Sequence, residues 1–311
     1  MGRYLLKRLL HAGCIVLGTT LLSYLLIYLA PSDPAQVIAA QRLGGHPNPA
    51  QVDWVRQYYG LDQPWFVQYL RWLTRALQGD FGLSIRTGQA ILGEVSRALH
   101  YSLVLAVWTS AFVVLVAGVS GVWAALRCNT LWDQLLQLFG LLCASVPEFW
   151  LAFLLIWVFA ITLGWLPSYG AKSSAHLILP MLSLGLGQAA RLSRLTRTLV
   201  LDELGKDYLR TARAKGRTRA SALLRHGLPN IAVPFVALLA YQFSLLLSGA
   251  IIIETLFTWP GLGSYYIAAV HFRDVPVIQA VVLLCASIIV GVHLLADLSY
   301  GLLDPRLRLG S

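Results

Sequence analysis

Charge is scarce in this sequence. Only 12% of its 311 residues are charged, whereas 57% are hydrophobic and the mean hydropathy is +0.67. A soluble domain carries about 25% charged and about 45–50% apolar residues. So little charge cannot form the polar surface that water solubility needs, and the composition therefore predicts an integral membrane protein.

Motifs for metal, nucleotide and covalent chemistry are also missing. The four cysteines show no close pairing or zinc-type spacing, and the seven histidines are scattered without an i, i+4 pair. A Gly-x-x-x-x-Gly-Lys-Ser/Thr phosphate loop is absent, so we do not expect ATP to bind to this chain. No Ser/His/Asp set has local support, and the basic residues form no recognised nucleic-acid module. The sequence predicts no catalytic residue, cofactor, metal site or nucleic-acid partner.

Long apolar runs are what the sequence does contain. A membrane-spanning helix needs about 20 residues, and the six predicted spans are 9–32, 98–126, the first two-thirds of 134–171, 173–190, 229–253 and 275–296. The fourth is the shortest, and the basic helix after it can extend it. The first run is too long for a cleaved signal peptide and is predicted to be a signal anchor. The predicted fold class is an all-α, polytopic membrane protein.

The distribution of basic residues predicts the orientation. With the N-terminus inside, the cytoplasmic segments hold 16 Lys and Arg residues and the outer segments hold 8, of which 6 lie in the long segment 33–97. Segments beyond about 60 residues largely escape the rule that basic residues stay inside. Both termini are therefore predicted to be cytoplasmic. The chain then divides into a start and first span (1–32), an outer segment (33–97) and a five-span core (98–311) that includes a cytoplasmic loop over 191–229.

The outer segment 33–97 is predicted to be folded. Pro64 and the aromatic and leucine residues after it form an amphipathic pattern with proline in the first turn, and Gly79-Asp80-Phe81-Gly82 ends it. Such a helix could lie at the membrane interface, pack on the spans or meet an external partner. Packing on the spans is the favoured interpretation.

The cytoplasmic segment 191–225 is unusually basic, with ten basic and three acidic residues. We predict that 191–207 continues the fourth span, that a helix over 208–216 stops at Gly216, and that a second short helix, about 220–226, ends before Leu228-Pro229. A helix–glycine–helix elbow under the membrane could dock a soluble partner and pass its motion to the spans. The alternative is a positive-inside anchor with incidental helicity.

The segment from Tyr208 through Pro229 resembles the conserved cytoplasmic loop of ABC-importer permeases, in which an Ala-rich helix, a glycine and Leu-Pro follow at set spacing. The general pattern Glu-Ala-Ala-x-x-x-Gly falls on Arg210-Thr211-Ala212 and Gly216, with Arg and Thr in its first two positions. The variant Arg-Thr-Ala-Arg-Ala-Lys-Gly resembles that of the dipeptide/oligopeptide/nickel permease family.

Other segments resemble this family in the same order along nearly the whole chain. They are Arg-Tyr-Leu-Leu-Lys-Arg-Leu-Leu (3–10), Gly-Leu-Asp-Gln-Pro (60–64), Gly-Asp-Phe-Gly-Leu-Ser (79–84), Val-Pro-Glu-Phe-Trp-Leu (146–151), Gly-Trp-Leu-Pro (164–167), Glu-Thr-Leu-Phe-Thr-Trp-Pro-Gly-Leu-Gly (254–263) and Leu-Asp-Pro-Arg (303–306). Each motif is modest alone, and their common order makes the resemblance strong.

The resemblance implies a type I importer of the bacterial inner membrane. This chain would be the first permease of a heterodimer with a homologous second permease, two ATP-binding subunits would grip the cytoplasmic loops, and an extracytoplasmic solute-binding protein would deliver the solute. The solute could be a dipeptide, a longer peptide, a glutathione-like molecule, nickel or a metal chelate. Residues matching the coupling loop are Tyr208, Arg210, Thr211, Ala212, Ala214, Lys215, Gly216, His226, Leu228 and Pro229.

Two other function classes are open to a polytopic membrane protein. A stand-alone secondary transporter or channel needs internal repeats or broken helices with paired ion-binding acids, and no clear repeat is found. It would also leave the basic elbow unexplained. A membrane-embedded hydrolase needs a catalytic set that converges at membrane depth, which the scattered acids and histidines do not offer.

Glu148 is the acid most directly within a span. It follows Pro147, which can kink the third span and free a backbone carbonyl. Its carboxylate could line the solute pathway and meet a cationic solute, or it could make an interfacial or interhelical hydrogen bond, which is the favoured interpretation.

Two further acids lie at span ends. Glu254 opens the turn Trp259-Pro260-Gly261-Leu262-Gly263 at the outer end of the fifth span, either as a plain turn at headgroup depth or as a short element near an outer gate. Gly261 and Gly263 are expected to permit a tight turn. Asp297 is expected to pair with Arg306 or Arg308 near the cytoplasmic end of the last span.

Overall fold

The computed structural model describes residues 2–29, 33–43 and 45–303. In this part of the chain all regular structure is helical, apart from one antiparallel bridge between Leu83 and Ala90. The helices are α1 (Gly2–Tyr28), α2 (Pro34–Leu43), α3 (Pro49–Tyr58), α4 (Trp65–Leu77), α5 (Ile91–Leu126), α6 (Leu131–Ser145), α7 (Glu148–Leu155, continued by a π turn over Ile156–Thr162), α8 (Ala175–Leu204), α9 (Asp207–Ala214), α10 (Arg219–Ala222, continued by a π turn over Leu223–Gly227), α11 (Leu228–Leu256), α12 (Leu262–His271) and α13 (Val275–Leu303).

The prediction of six spans is matched in part. Four helical stretches are long and apolar enough to cross a membrane, namely Leu6–Tyr28, Ile91–Leu126, Leu238–Leu256 and Val275–Leu298. The bent pair α6 and α7 supplies a fifth candidate. The fourth predicted span forms the first half of α8, whose second half is basic and lowers the hydropathy of the helix as a whole. The all-α fold class is confirmed.

The third span differs from the prediction of one helix with a proline kink. The helix pair is bent by 100° between Ser145 and Glu148, so the segment is a broken span or a re-entrant loop. Val146 has the extended backbone (φ −83°, ψ 127°) that a following proline favours, and Pro147 precedes the first residue of α7. Proline therefore separates two helices here instead of bending one.

The chain forms two compact units. The N-terminal unit comprises Leu5–Tyr101 and Pro260–Gly291. Of the described residues, the core unit comprises 2–4, Ser102–Trp259 and 292–303.

Within the N-terminal unit, the amphipathic helix α4 packs on α1. The Thr20 and Tyr69 hydroxyls are hydrogen-bonded at 3.0 Å, and the Tyr24 hydroxyl donates to Gln68 Oε1 at 3.0 Å. The rings of Tyr24 and Tyr69 meet edge to face with their centroids 5.6 Å apart. Packing on a span, the favoured interpretation of this helix, is therefore what the structure shows for its Tyr69 face.

Within the core unit, α5 and α8 approach closely through small residues. A Cβ atom on Gly121 of α5 would lie 2.7 Å from the backbone oxygen of Ser193 of α8. The hydroxyl of the preceding residue, Ser120, is hydrogen-bonded to the Ser193 hydroxyl at 2.7 Å. Buried apolar residues continue the contact, namely Val113, Ala117, Ala189 and Leu192. This contact fixes α8, which leads directly into the basic elbow.

Candidate functional site

The basic segment folds as the predicted elbow, with different boundaries. Helix α8 ends at Leu204, three residues before the predicted end, and α9 runs from Asp207 to Ala214. Gly216 has a φ of +90°, a backbone conformation that glycine adopts without strain, and the chain turns there. Thr218 then caps α10 by accepting a hydrogen bond from the Ser221 backbone at 3.2 Å.

The predicted end of the second short helix before Leu228-Pro229 is wrong. Helix α10 continues through the π turn Leu223–Gly227 into α11 without a break. Pro229 lies in the first turn of α11, directly after the π turn. The second short helix of the elbow, α10, is therefore continuous with α11.

The elbow is fastened to the long helices by an apolar cluster. Leu209 of α9 and Leu223 of the π turn are buried against Val200 and Leu204 of α8, and Ala125 and Ile231 belong to the same cluster. Ala212 and Leu228, two of the residues matched to the coupling loop, are half-buried and pack against it. Displacement of α9 as a rigid body would therefore be resisted by contacts with α8 and α11.

Glu203 forms a polar link inside the elbow that the sequence did not single out. Its side chain is 7% exposed, and its Oε2 accepts from Lys206 Nζ at 2.6 Å. Its Oε1 accepts from Asn230 Nδ2 at 3.0 Å and from the Tyr208 hydroxyl. Asn230 Nδ2 also donates to the Tyr208 oxygen at 2.9 Å. One carboxylate thus joins the end of α8, the first turn of α9 and the first turn of α11.

The same contacts shift two pKa values in the elbow. Burial by itself would raise the pKa of Glu203, but the hydrogen bonds from Lys206, Tyr208 and Asn230 outweigh burial, and the pKa lies below its ordinary value. Burial, followed by the hydrogen bond to Glu203, raises the pKa of Tyr208. At neutral pH the carboxylate is therefore charged and the phenol keeps its proton, which is the arrangement the hydrogen bonds need.

The remaining matched residues face away from the cluster. Arg210, Thr211, Ala214, Lys215, Gly216, His226 and Pro229 are exposed. The exposed side of the elbow also carries further arginines, namely Arg213, Arg217, Arg219 and Arg225. Tyr208 contributes to the exposed face and to the buried network, since 39% of its surface is exposed while its hydroxyl contacts Glu203. The elbow thus has an apolar face against the long helices and a basic face open to a partner.

Glu148 lies in the first turn of α7, directly after the break in the third span. Its Oε1 is 3.7 Å from Nη2 of Arg191 on α8. Gly249 of α11 approaches it so closely that a Cβ there would lie 2.5 Å from its Oε2. The structure therefore gives this carboxylate an interhelical partner, and a side chain at position 249 would force the Glu148 carboxylate to move.

Glu254 is completely buried near the end of α11, and its Oε1 accepts from the Ser102 hydroxyl at 2.5 Å. The Trp259 backbone donates to the Glu254 carbonyl at 2.7 Å, and the Trp259 side chain is only 4% exposed, so it packs within the chain and is not presented to a headgroup layer. Gly261 has a negative φ, so its backbone conformation does not require glycine. The left-handed conformation of the turn is adopted by Thr258 instead (φ +51°).

The other predicted residues lie in the rest of this turn and near the C-terminus. Pro260, Gly261 and Gly263 lie in the N-terminal unit, at the start of α12. The ion pair expected between Asp297 and Arg306 or Arg308 lies outside the described residues, as does most of the 303–306 motif.

Two family models match the chain and together cover most of it. Residues 117–309 match the family described as "Binding-protein-dependent transport system inner membrane component", and residues 1–106 match its N-terminal domain. Similar curated proteins are the glutathione transport system permease protein GsiC of Escherichia coli strain K12 and of Shigella dysenteriae serotype 1, each 38% identical over 308 residues. GsiC of Salmonella paratyphi A is 39% identical. In each case 99% of both chains is covered.

These matches span the N-terminal segment, the broken third span and the elbow alike. Members of this family are non-catalytic membrane subunits of ABC transport systems. The chain therefore belongs to the inner membrane permease family of binding-protein-dependent ABC importers, in its peptide- and nickel-type branch.

Proposed function

We propose that this permease carries a small amino-acid-derived solute, of the size of a short peptide or glutathione, into the cytoplasm by alternating access. It would act as the first permease of a heterodimer, with a homologous second permease, two ATP-binding subunits and an extracytoplasmic solute-binding protein. We propose that both termini lie in the cytoplasm. The observation that carries the solute class is the 38% identity over the whole chain to permeases named for glutathione transport.

The elbow 208–229 is the element proposed to receive the ATP-binding subunits. Its exposed face is basic and holds most of the residues matched to the coupling loop. Its buried face contacts α8 and α11 through Leu209 and Leu223. Because Glu203 bonds to residues of α9 and α11 as well, a push on α9 reaches both long helices at once.

The solute pathway is proposed to pass the broken third span. Glu148 follows the break and is 28% exposed, so a cationic group of a solute can reach its carboxylate. The turn of Glu254, Trp259, Pro260, Gly261 and Gly263 is proposed as a short element near the outer gate. Within it, the buried Glu254 and Trp259 serve to hold the turn in place.

The coupling proposal is tested by Gly216→Pro and Ala212→Glu. Proline cannot adopt the φ of +90° at Gly216, and a glutamate at the half-buried Ala212 brings a charge into the apolar cluster. We expect ATP-driven uptake to be lost while the chain still inserts into the membrane. The matched control is Gly45→Pro, which changes another glycine with positive φ and open surroundings (φ +88°) in the N-terminal unit.

The assay is uptake by the reconstituted complex of labelled glutathione, of a dipeptide and of nickel. ATP-dependent uptake of glutathione or the dipeptide supports the proposal, and uptake of nickel alone contradicts the solute class. Normal uptake and normal co-purification of the ATP-binding subunits with both elbow variants would contradict the coupling role. Uptake that persists without ATP and follows an ion gradient would favour a stand-alone transporter.

A further inference from the structure

A small basic surface of the N-terminal unit is built on a buried carboxylate. Asp274 precedes α13 and is only 2% exposed. Its Oδ2 accepts from the Ser84 hydroxyl at 2.6 Å and from the Arg86 backbone at 3.2 Å, and its Oδ1 accepts from the Ile85 backbone at 3.1 Å. The turn after the 79–84 motif is therefore fixed to the loop between α12 and α13.

Two arginines and one aromatic ring project from this junction. The Arg86 guanidinium lies over the Phe272 ring, 5.0 Å from its centroid. Arg273 adopts a left-handed backbone (φ +52°) between Phe272 and Asp274. All three side chains are exposed, and 42% of the Phe272 surface is accessible. We call Arg86, Phe272 and Arg273 the basic knob.

Hydrogen bonds beneath the basic knob hold its backbone in place. Besides the three bonds to Asp274, the Gln41 side chain of α2 donates to the Phe272 carbonyl. A non-glycine residue with positive φ, as at Arg273, persists only where the surroundings over-determine it. The Arg86 guanidinium and the backbone of Arg273 are thus held in place, which lowers the entropy lost when a partner binds.

The charges of the knob have no carboxylate partner among the described residues. The nearby acids of the unit are engaged elsewhere: Glu94 accepts from the Tyr265 hydroxyl at 2.7 Å, and Asp80 is 3.5 Å from Arg75. In the proposed orientation Arg273 lies in a short outer loop, where basic residues are disfavoured. Retaining an exposed, unpaired arginine there points to an acidic partner on the outer side.

We propose that the basic knob is a docking point for an acidic surface of the solute-binding protein. The family is binding-protein-dependent, so such a partner exists on the side where the proposed orientation puts the knob. A lipid headgroup is the less favoured occupant, because an arginine that meets lipid needs no fixed geometry and reaches headgroups through side-chain flexibility. This inference rests on the orientation and partners of the proposed function.

The test uses variants that keep the local fold. Arg86→Met keeps an apolar side chain on Phe272 and removes the charge. Arg273→Gly removes the other charge at a φ that glycine adopts without strain. The matched control is Arg75→Met, which removes an exposed arginine from α4 of the same unit.

The assay is ATPase activity of the full complex, in nanodiscs of phosphatidylcholine, against increasing concentrations of its solute-binding protein. We expect each single variant to raise the half-saturating concentration several-fold and the double variant to raise it about tenfold. The maximal rate and the basal ATPase activity should not change. The salt dependence of the half-saturating concentration should weaken, because fewer charges cross the interface.

Unchanged half-saturation in the double variant, with a wild-type complex that responds normally, would overturn the docking role and leave the proposed function standing. An effect that appears only when phosphatidylglycerol is added, and that is equal with and without the binding protein, would assign the knob to lipid and also overturn the inference. A wild-type complex that no binding protein stimulates would overturn both proposals.

Discussion

Arg197 of α8 holds Asp133 of α6 through two parallel hydrogen bonds, from Nε to Oδ1 at 2.8 Å and from Nη2 to Oδ2 at 2.7 Å. Asp133 is nearly buried, and its Oδ2 also accepts from the backbone of Asn129, a left-handed residue (φ +64°) in the turn before α6. The first turn of α6 is therefore fastened to the helix that leads into the elbow.

This pair predicts a large cost for Arg197→Leu. Removing Arg197 leaves the Asp133 carboxylate buried without its cation, with the Asn129 backbone still donating to it, which costs about 3–5 kcal/mol. The stability of Arg197→Lys should lie between those of the wild type and Arg197→Leu, because an ammonium keeps the charge but cannot form the two-point contact. The melting temperature of the purified complex measures the effect, and Arg194→Leu on the same helix is the control. Equal melting temperatures for Arg197→Leu and wild type would contradict the prediction.

The contact between α5 and α8 predicts opposite effects for two neighbouring glycines. Gly121→Ala places a Cβ against the Ser193 backbone, which cannot move aside, and should cost about 1–3 kcal/mol. Gly118→Ala lies on the same helix with open space around it and should be neutral or stabilise by about 0.5–1 kcal/mol. Thermal unfolding of both variants checks this, and equal shifts would show that the helices separate more easily than the structure implies.

The Glu203 network predicts that coupling can be weakened without loss of the elbow. Tyr208→Phe and Glu203→Gln remove hydrogen bonds between α8, α9 and α11 but leave the apolar cluster in place. We expect uptake per ATP hydrolysed to fall several-fold while the ATP-binding subunits still co-purify. Thr198→Val, which changes an exposed hydroxyl of α8, is the control. A ratio equal to wild type in both variants would refute the role given to Glu203.

The same network has a defined pH dependence. Because the folded-state pKa of Glu203 is depressed, its stabilising contribution is complete above the ordinary pKa of glutamate, about 4.3, and is lost as the pH falls through the lower folded value. Between about pH 6 and about pH 8, coupling should not change through this group. The transport-to-ATPase ratio is measured over that range, and a ratio that rises with pH in the wild type but not in Glu203→Gln would contradict a lowered pKa for Glu203. Glu203→Gln should follow the same flat profile at a lower ratio.

Glu148 and Arg191 predict a selective transport defect. Glu148→Gln removes the charge that can meet a cationic solute, so uptake of a solute with a free amine should fall several-fold relative to one whose amine is acetylated. Membrane insertion and basal ATPase activity should be normal. Asp53→Asn, which neutralises an exposed acid of α3, is the control. Unchanged uptake and selectivity in Glu148→Gln would remove this carboxylate from the pathway.

Asp274 predicts protease sensitivity in the N-terminal unit. Asp274→Ala leaves the Ser84 hydroxyl and two backbone N–H groups without their acceptor, at about 1–3 kcal/mol for each buried group that stays unpaired. Trypsin should therefore cleave after Arg86 roughly tenfold faster, because the turn opens more often. Asp62→Ala, which changes an exposed acid away from this turn, is the control. Equal cleavage rates would show that Asp274 does not hold this turn.

Much of the fold follows from local sequence patterns. Composition predicts that the chain is a membrane protein, and the length of the apolar runs predicts the long helices. Both inferences depend on the transfer of side chains out of water. The elbow was predicted from Gly216 and from helical periodicity, because a positive φ and a helix end are local properties. The ten residues matched to the coupling loop lie in it, although the sequence did not show that Ala212 and Leu228 face inward while Arg210 and Lys215 face out.

Tertiary structure decided which polar groups are buried and what they bind. Asp274 and Ser84 are 190 residues apart in the chain, and no periodicity connects them. Glu203 looked like one acid among many basic residues, and only the packing of Tyr208 and Asn230 around it makes it the centre of the elbow. The sequence by itself thus determined that this chain is a helical membrane protein with a basic elbow between two long helices. Burial and pairing over long separations required the folded chain, because they depend on which helices meet.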